Sequence, residues 1–196
     1  MLQLLRPRQV GRENNTSVLG NMKSIILLGY MGAGKTTIGH ALAKNLGVQF
    51  YDLDWYIEMR FHKTVAQIFE ERGEEGFREI ERNMLHEVAE FENVVISCGG
   101  GTPCFFDNMD YMNSLCTTIY LKASAEVLSA HLKMGKVVRP LILGKTEEEL
   151  TSYIQGMLNI REPFYMKAQH IFDVDLLNSR EKVDESVRLL REATGI

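Results

Sequence analysis

Residues 29–37 read GYMGAGKTT, and this stretch decides the fold. Gly29 to Thr36 fits the phosphate-binding pattern G-x-x-x-x-G-K-[ST]. An apolar run at 25–28 precedes the loop, and apolar residues at helical spacing follow it from Ile38 to Leu46. The loop therefore lies between a predicted strand and a predicted helix, which is the context that a phosphate-binding loop requires.

The residue types of this loop predict a site for a nucleoside triphosphate. Glycines let successive backbone N–H groups turn towards phosphate oxygens, and the N-terminus of the following helix adds a partial positive charge. Lys35 reaches the outer phosphates, and the Thr36 hydroxyl can ligate Mg²⁺.

Composition indicates a soluble globular protein. The 196 residues suffice for one domain with a sizeable core, and hydrophobic residues make up 45% of them. A net charge of −4 gives no overall basic surplus for nucleic acid, and no apolar run is long enough to span a membrane. The three cysteines, Cys98, Cys104 and Cys116, are odd in number and form no C-x-x-C pair. We therefore expect reduced thiols, a cytoplasmic location and no nucleic-acid or membrane partner.

Strand and helix patterns alternate from Lys23 onward, which predicts an α/β fold: a three-layer sandwich around a five-stranded parallel sheet. The predicted strands are 24–28, 48–53, 94–97, 117–121 and 170–174. The predicted helices are 35–46, 55–61, 64–72, a long one from about Gly76 to Phe91 after a break at Gly73 and Gly76, 124–133, 146–161 and 180–193. Two of them open on capping boxes, Thr64 with Gln67 and Thr146 with Glu149.

Two segments fall outside this alternation. Residues 1–21 hold three arginines and one acid, and we interpret them as a disordered extension or the result of an early start codon, with an organellar presequence as the alternative. The domain proper is then residues 22–196, beginning at Met22. Residues 134–145 have glycines near both ends and little periodicity, which suits a mobile lid.

Two acids lie at the end of the second predicted strand. The period of a strand puts Asp52 and Asp54 on one face, at the sheet edge where parallel sheets bind ligands. One acid can hold the Mg²⁺ shell while the other accepts a hydrogen bond from a substrate hydroxyl. The alternative is a solvated turn, or a helix N-cap for Asp54.

The third predicted strand ends without an acid. Many phosphate-loop enzymes carry a metal-binding Asp there, but this chain has Ser97 and Cys98, so Asp52 is the candidate metal ligand. The guanine-reading pattern N-K-x-D is also missing from the sequence, which disfavours a switch GTPase. The next residues are Gly99, Gly100 and Gly101, on whose backbone a substrate can lie flat; the alternative is a flexible turn. We interpret Cys98 as a small packed side chain.

Three arginines are candidates for anion binding. Arg78 begins the long helix, Arg139 lies in the predicted lid, and Arg161 ends another helix. The guanidinium fork matches carboxylates and phosphates, although each arginine taken alone is more often a surface charge.

Together these motifs resemble the shikimate kinase family. The resemblance rests on the phosphate loop, D-x-D at 52–54, G-F-R at 76–78, the glycine triplet at 99–101, R-P-L at 139–141 and R-x-P-x-Y at 161–165. It covers the chain from about Met22 to Val174. It implies a P-loop NTPase fold like that of nucleoside monophosphate kinases, a monomer, and ATP with Mg²⁺. It also implies phosphorylation of the 3-hydroxyl of shikimate, a step in the synthesis of chorismate and aromatic amino acids.

The resemblance also assigns roles. Asp54 would bind and activate the shikimate hydroxyl, and Arg139 would reach the phosphates from the lid. Thr36 and Asp52 would hold Mg²⁺. Lys35 and Arg139 would act with Asp54 in catalysis. The ATP phosphates would be held by Gly32, Ala33, Gly34, Lys35, Thr36, Thr37 and Arg139, and shikimate by Asp54, Arg78, Gly99, Gly100, Gly101 and Arg161.

The chain departs from the family pattern in the residues expected to contact the adenine. Many members have a basic residue seven positions before the lid arginine, where this chain has Leu132, and His131 or Lys133 are the possible substitutes. None of the five histidines shows metal-ligand spacing, and we expect them to be structural or exposed. The alternative function is another small-metabolite kinase, such as a gluconate kinase. A binding protein without turnover is disfavoured by the intact Lys35, Thr36, Asp54 and Arg139.

Overall fold

The computed structural model describes residues 22–134 and 144–196. Five parallel strands form one sheet in the order β2-β3-β1-β4-β5. Their bounds are β1 Ile25–Leu28, β2 Gln49–Asp52, β3 Val94–Ser97, β4 Thr117–Lys122 and β5 His170–Asp173. The sequence predicted all five strands, most of them to within one residue at each end.

Seven helices and one short 3₁₀ turn connect and cover the strands in the described residues. The bounds are α1 Lys35–Leu46, α2 Leu53–Phe61, α3 Val65–Ala89, the 3₁₀ turn Thr102–Cys104, α4 Asn108–Leu115, α5 Ala125–Met134, α6 Glu147–Tyr165 and α7 Arg180–Thr194. The 3₁₀ turn and α4 were not among the predicted elements.

The core lies on both faces of the sheet. All four side chains of β1 are buried, as are all four of β3. Because successive side chains of a strand point to opposite faces, both faces of the sheet must be covered by helices. Helices α1 and α7 contact each other, as do α5 and α6. This is the predicted three-layer α/β arrangement.

The helix boundaries correct the sequence reading in α3 and α6. Helix α3 bends only at Gly73, whose φ of 68° and ψ of −175° are not helical, whereas Gly76 lies inside the helix and does not break it. Helix α6 continues past Arg161, through Pro163, to Tyr165. Both predicted capping boxes are present, at Thr64 and Thr146.

Residues 1–21 and 135–143 lie outside the described part of the chain, and with them Arg139, the extension and most of the predicted lid 134–145. Among the helices described on either side of the 135–143 gap, none is long and apolar enough to cross a membrane.

Candidate functional site

A cavity of about 460 Å³ opens at the carboxyl ends of β1, β2 and β3. It brings together most of the predicted site residues, although they come from three separate parts of the sequence. Its lining includes Gly32, Gly34, Lys35, Thr36, Thr37, Asp52, Asp54, Gly99 and Gly100. Ala33 is buried beneath this surface.

The phosphate loop has the backbone that its glycines predict. Gly32 and Gly34 have φ values of 86° and 84°, a left-handed conformation that strains other residues. Gly34 is the N-cap of α1, and no acidic side chain occupies the first turn of that helix. Lys35 Nζ donates to the carbonyl oxygens of Gly29 and Tyr30, at 2.9 and 3.0 Å. The helix N-terminus is therefore open to an anion, with an ammonium group beside it.

Thr36 and Asp52 meet at the edge of the cavity. The Thr36 hydroxyl donates to Asp52 Oδ2 at 3.0 Å. Asp52 lies opposite Ser97 in the register of β2 and β3. Asp52 on the neighbouring strand β2 thus supplies, at the same level of the sheet, the carboxylate that β3 lacks.

Asp54 reaches the cavity by a different route from the predicted one. The strand ends at Asp52, which is the N-cap of α2, and Asp54 lies in the first turn of that helix. The argument from strand period was therefore wrong, and the N-cap alternative applies to Asp52 instead. Both acids nevertheless line the same cavity.

Asp54 has an unusual proton affinity. Burial raises its pKa to about 6, and the charges of Asp52 and Glu81 act in the same direction. The Lys35 ammonium lowers the pKa without offsetting burial. A carboxylate with a pKa close to neutrality can accept a proton from a bound hydroxyl group.

The glycine triplet lacks side chains because charged groups lie close to its backbone. A Cβ on Gly99 would lie 3.0 Å from Glu81 Oε1 and 3.2 Å from Asp54 Oδ1. A Cβ on Gly101 would lie 2.8 Å from Arg78 Nη2. The close approach of these groups, rather than flexibility of a turn, explains the absence of side chains.

Arg78 is held by a buried network that sequence reasoning missed. Its Nη1 donates to Glu81 Oε2 at 2.7 Å, and the Thr102 hydroxyl donates to Glu81 Oε1 at 2.5 Å. Glu81 is only 1% exposed. The Arg78 guanidinium also lies 4.1 Å from the ring centroid of Phe105. The three-residue spacing of Arg78 and Glu81 on a helix was the available signal.

Arg161 approaches the triplet from α6. Its Nη1 lies 3.6 Å from where a Cβ of Gly100 would be, and its guanidinium lies 5.5 Å from the ring centroid of Tyr30. The Tyr165 hydroxyl donates to the Gly100 carbonyl oxygen at 2.5 Å. Arg78 and Arg161 thus flank the glycine triplet, an arrangement that can bind a carboxylate.

His131 also lines the cavity, and both of its ring nitrogens are hydrogen-bonded to backbone groups. Leu132 is buried, and Lys133 forms an ion pair with Glu147 at 2.6 Å. Of the three residues considered for the adenine side, His131 is the one in the cavity lining. Cys98 is buried, as predicted, and burial raises the pKa of its thiol.

Fold and site define a phosphate-loop kinase that acts on a small hydroxylated acid. The loop can bind a polyphosphate, Asp54 can take a proton from a hydroxyl, and two arginines can bind a carboxylate.

Comparison with known proteins gives the particular family. The family model described as Shikimate kinase matches residues 31–191. The shikimate kinase of Bacteroides thetaiotaomicron is 57% identical over 171 residues, covering 87% of this chain and 98% of the relative. That of Phocaeicola vulgatus is 56% identical with the same coverage. The chain belongs to the shikimate kinase family.

Solved structures agree. The crystal structure of shikimate kinase from Bacteroides thetaiotaomicron has a TM-score of 0.86 at 55% identity, covering 89% of this chain and 99% of that one. A shikimate kinase from Acinetobacter baumannii, solved in complex with shikimate, has a TM-score of 0.75 at 31% identity, covering 89% and 94%. A gluconokinase from Sinorhizobium meliloti 1021 shares the fold, with a TM-score of 0.56, but is only 17% identical. Family membership thus supports ATP-dependent phosphorylation of shikimate over the gluconate alternative.

Proposed function

We propose that this enzyme transfers the terminal phosphoryl group of ATP to the 3-hydroxyl of shikimate, with Asp54 orienting and deprotonating that hydroxyl. The observation that carries this assignment is the position of Asp54, between the phosphate loop and the glycine triplet, with its pKa raised to about 6. A carboxylate there can face both a phosphate on the loop and a hydroxyl over the triplet.

The substrate carboxylate binds between Arg78 and Arg161. Both guanidinium groups lie against the glycine triplet, and the Glu81 network and the Tyr30 ring hold them in place. The ring of shikimate lies on Gly99, Gly100 and Gly101, where a side chain on Gly99 or Gly101 would come too close to charged groups. The crystal complex of the Acinetobacter baumannii relative supports shikimate as the ligand of this fold.

The ATP phosphates bind the loop from Gly32 to Thr37. Its backbone N–H groups and Lys35 provide the positive charge that phosphoryl transfer needs, because catalysis of this reaction depends chiefly on positioning and charge neutralisation.

The residues present fit Mg²⁺. A hydroxyl and a carboxylate, Thr36 and Asp52, meet at 3.0 Å and offer the oxygen ligands that this ion prefers. In the described ranges, no group of three or more His, Cys, Asp or Glu residues could hold a metal. Mg²⁺ does not need such a group, because it is usually held by one or two protein groups together with phosphate and water. When bound, the ion would neutralise charge on the phosphates, and Thr36 and Asp52 would hold it.

Arg139, on a lid of residues 134–145, adds positive charge at the transferring phosphate. The chain ends that flank the undescribed segment support this proposal: Met134 lines the cavity, and Lys133 on α5 pairs with Glu147 at the start of α6. The described residues on either side of the segment are thus held together by an ion pair, and Met134 on one side lies at the cavity. The enzyme acts as a monomer in the cytoplasm.

The test is a coupled ADP-release assay with shikimate, gluconate and nucleoside monophosphates as acceptors. We expect Mg²⁺-dependent turnover with shikimate and at most a small fraction of that rate with gluconate. Equal turnover with gluconate, or none with shikimate, would contradict the proposal. The Asp54→Asn enzyme serves as the control for ADP released by contaminating ATPases.

A further inference from the structure

His131 is bonded at both ring nitrogens to backbone groups that are remote in sequence. Its Nδ1 lies 2.7 Å from the carbonyl oxygen of Gly32, 99 residues away. The backbone N–H of Leu177 donates to its Nε2 at 2.7 Å. One side chain on α5 therefore joins the phosphate loop to the segment between β5 and α7.

These partners fix the state of the imidazole ring. A carbonyl oxygen can only accept a hydrogen bond and a backbone N–H can only donate one, so Nδ1 carries the proton and Nε2 is the acceptor. His131 thus acts as a neutral linker with one donor and one acceptor. Any replacement that keeps this function needs both groups at similar positions.

Leu177 forms a wall of the cavity beside the phosphate loop. Its side chain lies over Gly34, where a Cβ would collide with Leu177 Cδ1. Leu177, His131 and Met134 line the cavity together with Asp54, Gly99 and Gly100. Leu177 and His131 lie against the phosphate loop at Gly34 and Gly32, whereas Asp54 lies against Gly99. A nucleotide with its phosphates on the loop and its reacting end at Asp54 must place its sugar and base towards this wall.

We propose that His131 is a positioning residue for the nucleotide: it fixes the Leu177 wall against the phosphate loop and so builds the base-binding end of the cavity. This inference rests on the proposed function for the direction in which the nucleotide lies. Without His131, Leu177 is no longer held against the phosphate loop, while the loop itself and the proposed shikimate-binding residues stay in place. The consequence is weaker nucleotide binding with little change in shikimate binding.

The test compares three replacements of His131 by calorimetric titration with ADP, without shikimate. His131→Leu removes both hydrogen bonds and should weaken ADP binding about tenfold, the sum of two hydrogen bonds of ordinary strength. His131→Gln keeps a donor and an acceptor on one carbon and should stay within about threefold of wild type. His131→Asn, one methylene shorter, reaches only one partner and should fall between them. Glu126→Gln, an exposed position on the same helix, is the matched control and should bind ADP like wild type.

Steady-state kinetics give the second measurement. His131→Leu should raise the KM for ATP about tenfold, with kcat and the KM for shikimate within about twofold of wild type. A general loss of structure would move both KM values and the melting temperature together, and that result would overturn the proposal. Wild-type ADP affinity in His131→Leu, or equal losses in the Gln and Leu variants, would overturn it as well.

The Gln and Asn variants keep the test decisive if His131→Leu fails to fold, because their order of ADP affinity is itself predicted. Failure of the proposed function has a different signature. A wild-type enzyme that ignored shikimate would contradict the proposed function, whereas the ADP titration would still report on the linker.

Discussion

At the scale of single residues, Asp52 and Asp54 are two carboxylates with different surroundings. Asp52 caps α2 and accepts a hydrogen bond from the Thr36 hydroxyl. Asp54, two residues later in the first turn of α2, is the acid whose pKa rises to about 6. Unlike environments of this kind can give two carboxylates different roles, and we propose that Asp52 acts on the metal side and Asp54 on the substrate side.

The first prediction separates the two acids. Asp54→Asn removes the base and should lower kcat at least a hundredfold, the lower range for general-base catalysis, with ADP affinity within about twofold of wild type. Asp52→Asn should instead raise the Mg²⁺ concentration needed for half-maximal rate. Measuring rate against Mg²⁺ for both variants decides the assignment, and identical Mg²⁺ profiles would show it to be wrong.

The second prediction concerns stability and pH. Because the pKa of Asp54 is raised on folding, the folded protein holds this proton more tightly than the unfolded chain, so Asp54 disfavours folding increasingly as pH rises from about 4 to about 6. We expect Asp54→Asn to melt at a higher temperature than wild type at pH 7.5. The difference between the two melting temperatures should be much smaller at pH 4.5, where the folded protein holds Asp54 largely protonated.

Nucleotide-free protein is needed for this comparison, because bound Mg²⁺ and phosphate would change the charge around Asp54. Asp52→Asn is the companion measurement. A gap between wild type and Asp54→Asn that stayed constant from pH 4.5 to 7.5 would exclude titration of Asp54 as its cause.

At the scale of elements, α3 carries Arg78, which we propose binds the substrate, and contains one break. The bend at Gly73 separates the capped first turns from the segment that presents Arg78 and Glu81. A φ of 68° with a ψ of −175° is accessible essentially only to glycine. A Cβ added at Gly73 would have nothing within 4 Å. The bend therefore depends on the backbone freedom of this glycine and not on close packing around it.

The third prediction compares two glycines that both have open space around them. Gly73→Ala strains the backbone by roughly 1–3 kcal/mol and should lower the melting temperature by roughly 3–8 °C. Gly156→Ala lies in the regular helix α6, also with nothing within 4 Å, and should raise it by up to about 3 °C. Thermal denaturation of both variants measures the difference. Equal shifts in the two variants would show that the bend at Gly73 is not strained.

The fourth prediction concerns the lid between α5 and α6. An arginine that meets the phosphates only on closure acts chiefly in the transition state, so Arg139→Ala should lower kcat about a hundredfold or more and leave the KM for shikimate nearly unchanged. Arg161→Ala should do the reverse and mainly raise the KM for shikimate. Kinetics with ATP and shikimate varied separately test both. A normal kcat in Arg139→Ala would refute the lid proposal.

At the scale of the whole molecule, strand order builds the site. The order β2-β3-β1-β4-β5 places β1 at the centre, with β3 beside it and β2 next to β3. The phosphate loop, the glycine triplet and the two acids follow these three strands. Because parallel strands end at one edge, they meet there although the sequence separates them by up to 70 residues or so.

The fifth prediction concerns the extent of the domain. Every described strand and helix lies after Met22. A chain that begins at Met22 should therefore melt within about 2 °C of the full chain and keep its kcat, and light scattering should give a monomer for both. A large loss of melting temperature on shortening would show that residues 1–21 contribute to folding.

Several features followed from the sequence alone. The phosphate loop, the five strands, both capping boxes and the family could be predicted because each depends on residues close together in the chain. The assignments of Arg139, the lid and residues 1–21 were made in the same way and stay predictions.

Other contacts in the site could be learned only from the tertiary structure. Asp54 reaches the cavity from α2 rather than from a strand, Glu81 holds Arg78 beneath the glycine triplet, and His131 joins Gly32 to Leu177. Local pattern carries no information about which helix end meets which loop when the partners lie tens of residues apart. The packing of helices on the sheet sets the distances between these residues. It thereby sets the pKa of Asp54 and the position of the Leu177 wall.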